Sequence, residues 1–441
     1  MHKKRPEKEL RRHNAKGEDM KQQRVKFGKD ELMECVDVFN VPKDVQAKFR
    51  EMLDALDQEP DAGKFFRYHN DRSKVVEFEQ RFAEKMGVPY VLAVNSGTSA
   101  LIAAMIAAGV GPGDEVIVPA YTFFASVSAI VVAQAIPVIV EIDESLTISP
   151  EAIEKAITPQ TKAIIAVHMI GLNCKMDKIT EIAKKHSLAV IEDTAQACGG
   201  RYKGQYLGTW GDLGCISLDA FKVIASGEGG VVMCKDEFMY IRAQSWHDTA
   251  ACWRPNRFAR ERREGELFCG ENYRMSELEG AVALAQLRKL DWINDTCRKT
   301  WNRIREEVKL PAGVKWVEPN DPSGVCGYQA PMLFEDQEYA VRLQNAKIGL
   351  GGNARNETQG VRNWHMAWYW EHIIEKKSSN AAGYPFTIPL VKHPVDYTVD
   401  SWPETKRIIS HMCTIAGITP FLTEEEIKAK IEKINNGFKT V

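Results

Sequence analysis

Ten cysteines are spread from Cys35 to Cys413, with no CxxC pair among them and no Cys/His cluster at zinc spacing. That absence removes the usual signatures of a structural metal and of a disulfide framework, and the thiols read as those of a reduced, cytoplasmic protein. No apolar segment follows the basic opening Met1-His2-Lys3-Lys4-Arg5, so a secretory leader is not expected. There is no internal repeat and no low-complexity tract, which excludes solenoid and fibrous architectures. Charge is nearly balanced, 58 Lys and Arg against 60 Asp and Glu, and such a chain has no overall attraction to nucleic acid or anionic lipid. An uncharged stretch, Val116 to Val140, is long enough to cross a bilayer. It is broken by Pro119 and Pro137 and carries Thr122, Ser126, Ser128 and Gln134, so it reads as a strand, a buried helix and a strand in a soluble core.

What is present is an ordinary globular composition, 44% hydrophobic and 27% charged, over a length that allows two or three domains. Residues 1 to 30 stand apart, with eleven Lys and Arg against five Asp and Glu. They have little apolar surface to offset ordering entropy and almost no interleaved aromatics, so they are expected to form a mobile basic tail without a nucleic-acid role. From Val75 an amphipathic helix runs to Met86 and is closed by Gly87. β-Branched runs follow at Tyr90 to Val94, Glu115 to Pro119, Pro137 to Ile142, Ala163 to Val167 and Ala189 to Glu192. They alternate with helical segments near Ser99 to Ala108, Ala125 to Gln134, Pro150 to Ile157 and Lys178 to His186. Repeated α/β units predict a mostly parallel sheet wrapped by helices, with ligands at the carboxyl ends of its strands. A long helical stretch from about Met275 to Val308 is expected to lead from a large domain, residues 31–300, into a smaller α/β domain, residues 301–441.

The residues just past each strand are the ones that can carry chemistry. Asn95-Ser96-Gly97-Thr98-Ser99 opens a helix, where free N–H groups, a close glycine backbone and two hydroxyls suit a phosphate, although the same residues make an ordinary N-cap. Phe123 follows the second strand and can stack on a flat ring or simply fill the core. After the fifth strand, Asp193 is either the partner of a protonated ring nitrogen or a helix cap, and Gln196 can donate to a ring oxygen. Lys222 stands among apolar neighbours with Gly227, Gly229 and Gly230 behind it, a setting in which an amine can act as nucleophile and base, although most lysines are solvated.

These elements occur in the order phosphate turn, stacking aromatic, carboxylate, lysine beside glycines, each after a strand of one sheet. The chain thereby resembles fold-type I pyridoxal-phosphate enzymes, and in particular the DegT/DnrJ/EryC1/StrS family of sugar aminotransferases. The motifs that carry the likeness are Ser-Gly-Thr-Ser-Ala-Leu at 96–101, Val-Pro-Ala-Tyr-Thr-Phe at 118–123, Glu-Asp-Thr-Ala-Gln-Ala at 192–197, Gly-Glu-Gly-Gly at 227–230 and Asn-Tyr-Arg-Met-Ser-Glu-Leu at 272–278. The resemblance implies pyridoxal 5'-phosphate as cofactor, alternating with pyridoxamine 5'-phosphate, Lys222 as its Schiff-base lysine and Asp193 on its pyridinium nitrogen. It places Gln196 near the ring hydroxyl, Phe123 on the ring face, and Gly97, Thr98, Ser99 and Ser217 around the phosphate. Asn272 would reach the phosphate of a neighbouring subunit, because family members are homodimers with shared sites.

Family members that deoxygenate sugars have histidine in place of the lysine, so Lys222 favours amino transfer. His168-Met169-Ile170-Gly171, Asn363-Trp364-His365 and Asp396-Tyr397-Thr398 resemble the branch that aminates an 8-oxo-octulosonate, with the aminocyclitol aminotransferases next. Both use an L-glutamate or L-glutamine donor. His168 and His365 are then substrate-side candidates, or buried structural histidines, and Arg67 and Tyr68 are candidates from the partner subunit. The chain departs from the family in having Leu218 where an aromatic is usual, and the Arg/Glu-rich stretch Cys252 to Cys269 has no recognised counterpart. Two other functions stand beside amino transfer: a pyridoxal-phosphate dehydratase or deaminase, and a regulatory protein that keeps the fold without turnover. A membrane or nucleic-acid partner is not expected.

Overall fold

The computed structural model describes residues 28–53, 73–250, 260–355 and 362–441. The basic tail up to residue 27, Arg67, Tyr68 and the first part of the Arg/Glu-rich stretch lie outside the described residues. Contacts divide the chain into two units, Met1–Ser73 and Lys74–Val441. In the first, α1 (Lys29–Val38) and α2 (Lys43–Met52) are linked through Arg50 and Asp30.

The second unit opens with α3 (Lys74–Met86), which buries Phe78, Phe82 and Met86, one face of a helix at four-residue spacing. Gly87 ends it at φ +70°, a conformation that costs glycine least. The chain then lays down β1 (Tyr90–Val94), α4 (Gly97–Ala107), β2 (Glu115–Pro119), α5 (Ala125–Val132), β3 (Ile136–Val140), α6 (Pro150–Ala156), β4 (Thr161–Val167), α7 (Met176–His186) and β5 (Ala189–Asp193). A short hairpin, β6 (Arg201–Tyr202) and β7 (Gln205–Tyr206), precedes β8 (Leu213–Ser217) and β9 (Gly230–Cys234). The sheet order is β1-β9-β8-β5-β4-β2-β3, with β9 running against its neighbours and the other pairings parallel. Val116 to Val140 is thus strand, helix, strand as expected, and no described helix is long and apolar enough to cross a membrane.

Helix α4 is apolar on every side and is buried along nearly its whole length, as a helix inside a layered core must be. After α8 (Glu237–His247), the stretch expected as one long helix is two, α9 (Glu277–Leu287) and α10 (Leu290–Glu307). Neither Pro nor Gly stands at the break. The two halves serve different neighbours: α9 packs on α3, and α10 packs on the C-terminal helix Glu424–Thr440. Helix α10 carries the chain to a second sheet, and residue 300 falls inside it. That sheet is antiparallel, in the order β10 (Val314–Trp316), β11 (Ala330–Phe334), β13 (Met412–Ile415), β12 (Gly351–Gly352), and α11 (Gln337–Asn345) packs on it.

Candidate active site

The carboxyl ends of β1, β2, β4, β5 and β8 lie along one edge of the large sheet, and the start of β9 joins them because it alone runs the other way. At β1, Ser96 caps α4: its Oγ accepts from Ser99 N–H at 3.0 Å, while the Ser99 hydroxyl donates to Asn95 Oδ1 at 2.7 Å. Ser99 is therefore spent in shaping the turn, and Gly97 and Thr98 keep the N–H groups for which a first helical turn has no carbonyl. No acidic residue stands in that turn, so nothing on α4 offsets its positive end. Gly97 has to be glycine, because a Cβ there would stand 2.6 Å from Ser217 Cβ at the end of β8. Gly230 is under the same constraint, its Cβ falling 2.3 Å from Ser96 O. These two close approaches bring the α4 turn, Ser217 and the glycines after Lys222 into one cradle.

Asp193 ends β5, pairing in register with Cys215 of β8. It is buried, and each carboxylate oxygen is held: Oδ1 by Ala195 N–H at 3.0 Å and Oδ2 by Ser126 Oγ at 2.7 Å. One donor is the backbone two residues on and the other lies on α5, and no helix starts directly after Asp193, so the helix-cap alternative does not apply. Gln196 turns its Oε1 to Ile170 N–H at 3.0 Å, which leaves its Nε2 as the donor on the other side.

His168 and Glu192 are a separate matter. Glu192 accepts from the N–H groups of Gly208, Trp210 and Gly211 at 2.7–2.8 Å and from His168 Nε2 at 3.1 Å. Cys174 N–H donates to His168 Nδ1 at 3.1 Å, so both ring nitrogens of this fully buried histidine are engaged within the fold. Of the two possibilities the sequence left for His168, its bonds are those of a strut between strand ends.

Lys222 sits near the tip of a loop that closes on itself below it, through Leu218 N–H to Gly229 O at 2.9 Å, Ser226 N–H to Leu218 O at 2.9 Å and an Asp219–Gly227 bridge. Its charge is felt by His365. Burial, and after it the Lys222 ammonium, hold the His365 imidazole below the ordinary histidine range. Segment 363–367 is pinned across the end of β2 by Thr122 N–H to His365 O and Ala367 N–H to Ala120 O, both 3.0 Å. Asn363 donates to Asn353 Oδ1 at 3.0 Å and so turns its own Oδ1 to His365 Nδ1 at 2.9 Å. The ring proton is thereby assigned to Nδ1, leaving a lone pair on Nε2. The His365 ring lies 5.5 Å from that of Phe123, a residue 46% exposed, unlike a core phenylalanine. Asn272 is exposed, next to Tyr273, whose carbonyl takes the Asn95 N–H at 2.8 Å.

Sequence reasoning missed Ser126, Thr122, Asn363 and Asn353. In the sequence Thr122 and Ser126 stand only as polar residues within an uncharged apolar run, which does not say what they bond to.

A profile of the DegT/DnrJ/EryC1/StrS aminotransferase family matches residues 53–349. The chain belongs to that family. It is 40% identical over 223 residues to GDP-perosamine synthase of Caulobacter vibrioides, a match covering 49% of this chain and 57% of the relative. With L-glutamine:2-deoxy-scyllo-inosose aminotransferase of Streptomyces kanamyceticus it shares 37% over 250 residues, 55% of this chain and 58% of the relative. The chain thus spans a little over half the length of these relatives. GDP-perosamine synthase of Vibrio cholerae is matched more fully, at 33% over 322 residues, 70% of this chain and 82% of the relative. Among solved structures, 3-amino-5-hydroxybenzoic acid synthase superposes with TM-score 0.66 at 28% identity, covering 83% of this chain and 91% of that one. An aminotransferase from Psychrobacter cryohalolentis gives 0.67 at 26%, covering 83% and 92%.

The DegT/DnrJ/EryC1/StrS aminotransferases use pyridoxal 5'-phosphate, and the residues present fit that group. An unopposed helix start beside Ser217 suits its phosphate, a carboxylate fixed at both oxygens suits its ring nitrogen, and the Lys222 amine suits its aldehyde.

Proposed function

We propose that the protein moves an amino group from L-glutamate or L-glutamine to a keto- or aldehydo-sugar, with an 8-oxo-octulosonate as the acceptor that the sequence resemblance favours. The observation that carries this reading is the gathering of Gly97, Ser217, Asp193, Gln196 and Lys222 at one sheet edge, by strand register and by glycine contacts closer than a Cβ allows. Pyridoxal phosphate, when bound, supplies a protonated ring that withdraws electrons from the reacting carbon. Asp193 holds the ring-nitrogen proton, Gln196 Nε2 donates to the ring hydroxyl oxygen, and Phe123 covers a ring face. Gly97, Thr98 and Ser217 bind the phosphate, with Ser99 holding the turn in shape. Lys222 tethers the cofactor and, through Nζ, takes the proton from the donor's α-carbon and returns one to the acceptor.

His365, with its lone pair on Nε2 and its ring within reach of the Lys222 charge, is the group best placed to accept an O–H or N–H of the substrate. His168 stays behind the sheet edge as a support. The exposed Asn272 serves the phosphate of a second subunit, so that the working unit is a homodimer. The L-glutamine donor in the name of the Streptomyces kanamyceticus relative supports the choice of donor.

The test is to incubate the purified protein, loaded with cofactor, with glutamate or glutamine and a panel of nucleotide-linked and free keto-sugars. An aminated sugar formed one for one with the deaminated donor is expected. Ammonia release without an aminated product would replace this reading with a dehydratase or deaminase.

A further inference from the structure

Asp193 is reached by a side chain that the sequence reading did not use. Ser126, fully buried on α5, places Oγ 2.7 Å from Asp193 Oδ2, and Thr122, also fully buried, places Oγ1 2.7 Å from Ser126 Oγ. The direction of the protons follows from what each atom can do. An ionised carboxylate only accepts, so the single proton of Ser126 lies on the bond to Asp193. Two hydroxyl oxygens 2.7 Å apart need a proton between them, and Ser126 has none left, so it comes from Thr122. The Phe123 carbonyl, 3.3 Å from Thr122 Oγ1, is the poorer acceptor. Donation therefore runs one way, Thr122 to Ser126 to Asp193, and each bond polarises the next. Phe123 lies between the two hydroxyl residues in sequence, so one short segment, 122–126, sets both the ring platform and the direction of the carboxylate.

We propose that Thr122 and Ser126 form a hydroxyl relay that orients Asp193 toward the cofactor's ring nitrogen, with Ser126 the positioning residue for that contact. The proposal rests on the reading of Asp193 as the partner of the pyridoxal-phosphate ring. Without Ser126 the carboxylate keeps, among the described residues, the Ala195 N–H on its other oxygen alone, and Oδ2 loses its donor.

The measurement is the ¹⁵N chemical shift of ring-labelled pyridoxal phosphate bound to wild type, Ser126→Ala, Ser126→Thr and Thr122→Val, together with the dissociation constant of the cofactor. Wild type and Ser126→Thr should show the shift of a protonated ring nitrogen. Ser126→Ala should move it toward the unprotonated value and weaken cofactor binding about tenfold, the scale of one lost hydrogen bond to a charged group. Thr122→Val should move both readouts in the same direction by less. If Ser126→Ala leaves the shift and the dissociation constant at wild-type values and lowers only the melting temperature, the relay is a packing feature and the proposal is overturned. An unprotonated ring nitrogen in wild type itself would instead overturn the role of Asp193, and the relay with it.

Discussion

Asp193 is held by the Ala195 backbone and by Ser126 of α5, so its substitution tests what the carboxylate does. Asp193→Asn keeps the size and the Ala195 contact but cannot hold a ring-nitrogen proton. It should still bind pyridoxal phosphate and should lose amino transfer by about 100-fold, the scale of removing a fixed electrostatic partner from a site. Steady-state rates with the cofactor saturating decide it, and turnover near the wild-type rate would mean the carboxylate is structural. His365 gives a test in pH. Unfolded, it takes up a proton near pH 6.5, whereas in the fold burial and the Lys222 charge delay that uptake to lower pH. The folded state is then the poorer proton acceptor, so stability is lost as the pH falls below about 6.5. His365→Gln removes that loss, and its melting temperature relative to wild type should rise between pH 8 and pH 5.5. An unchanged difference would show an imidazole that titrates as it does in water. At this scale the sequence exposed the acid, the amide and the lysine, because each follows a strand. It did not expose the partners of the acid, since a hydroxyl that fails to interrupt an apolar run carries no mark of what it bonds to.

At the scale of elements, the α4 turn meets β8 and β9 through glycines with no room for a side chain. Gly97→Ala would drive a methyl group into Ser217, and either Ser217 or the helix start must move. Loss of cofactor affinity by at least about tenfold is expected, ~1.4 kcal/mol, with secondary structure retained. A fluorescence titration reads it, and an unchanged dissociation constant would separate this turn from the phosphate. The sequence predicted β1 and β2 to the residue, and β3, β4 and β5 to within two residues at either end, because β-branched runs bounded by turn residues are legible over short windows. The antiparallel β9 was not legible, since direction is set by pairing between strands rather than by any one of them. The split between α9 and α10 was not legible either: the apolar stripe continues through it, and only the change of packing partner shows it.

At the scale of the whole molecule, the proposed subunit pair, in which each chain would complete the other's phosphate cradle, has its own test. Mixing inactive Lys222→Ala chains with inactive Asn272→Asp chains should restore some activity if sites are shared, because one site of the mixed dimer then draws both defects and the other draws neither. No recovery, with exchange demonstrated and both parents folded, would mean that each chain builds its site alone. The account stands most directly on Lys222. Reduction of the cofactor-loaded protein with hydride, followed by peptide mapping, should place the pyridoxyl group on Lys222 and on no other lysine. A label on a different lysine, or a protein that takes up none, would contradict it.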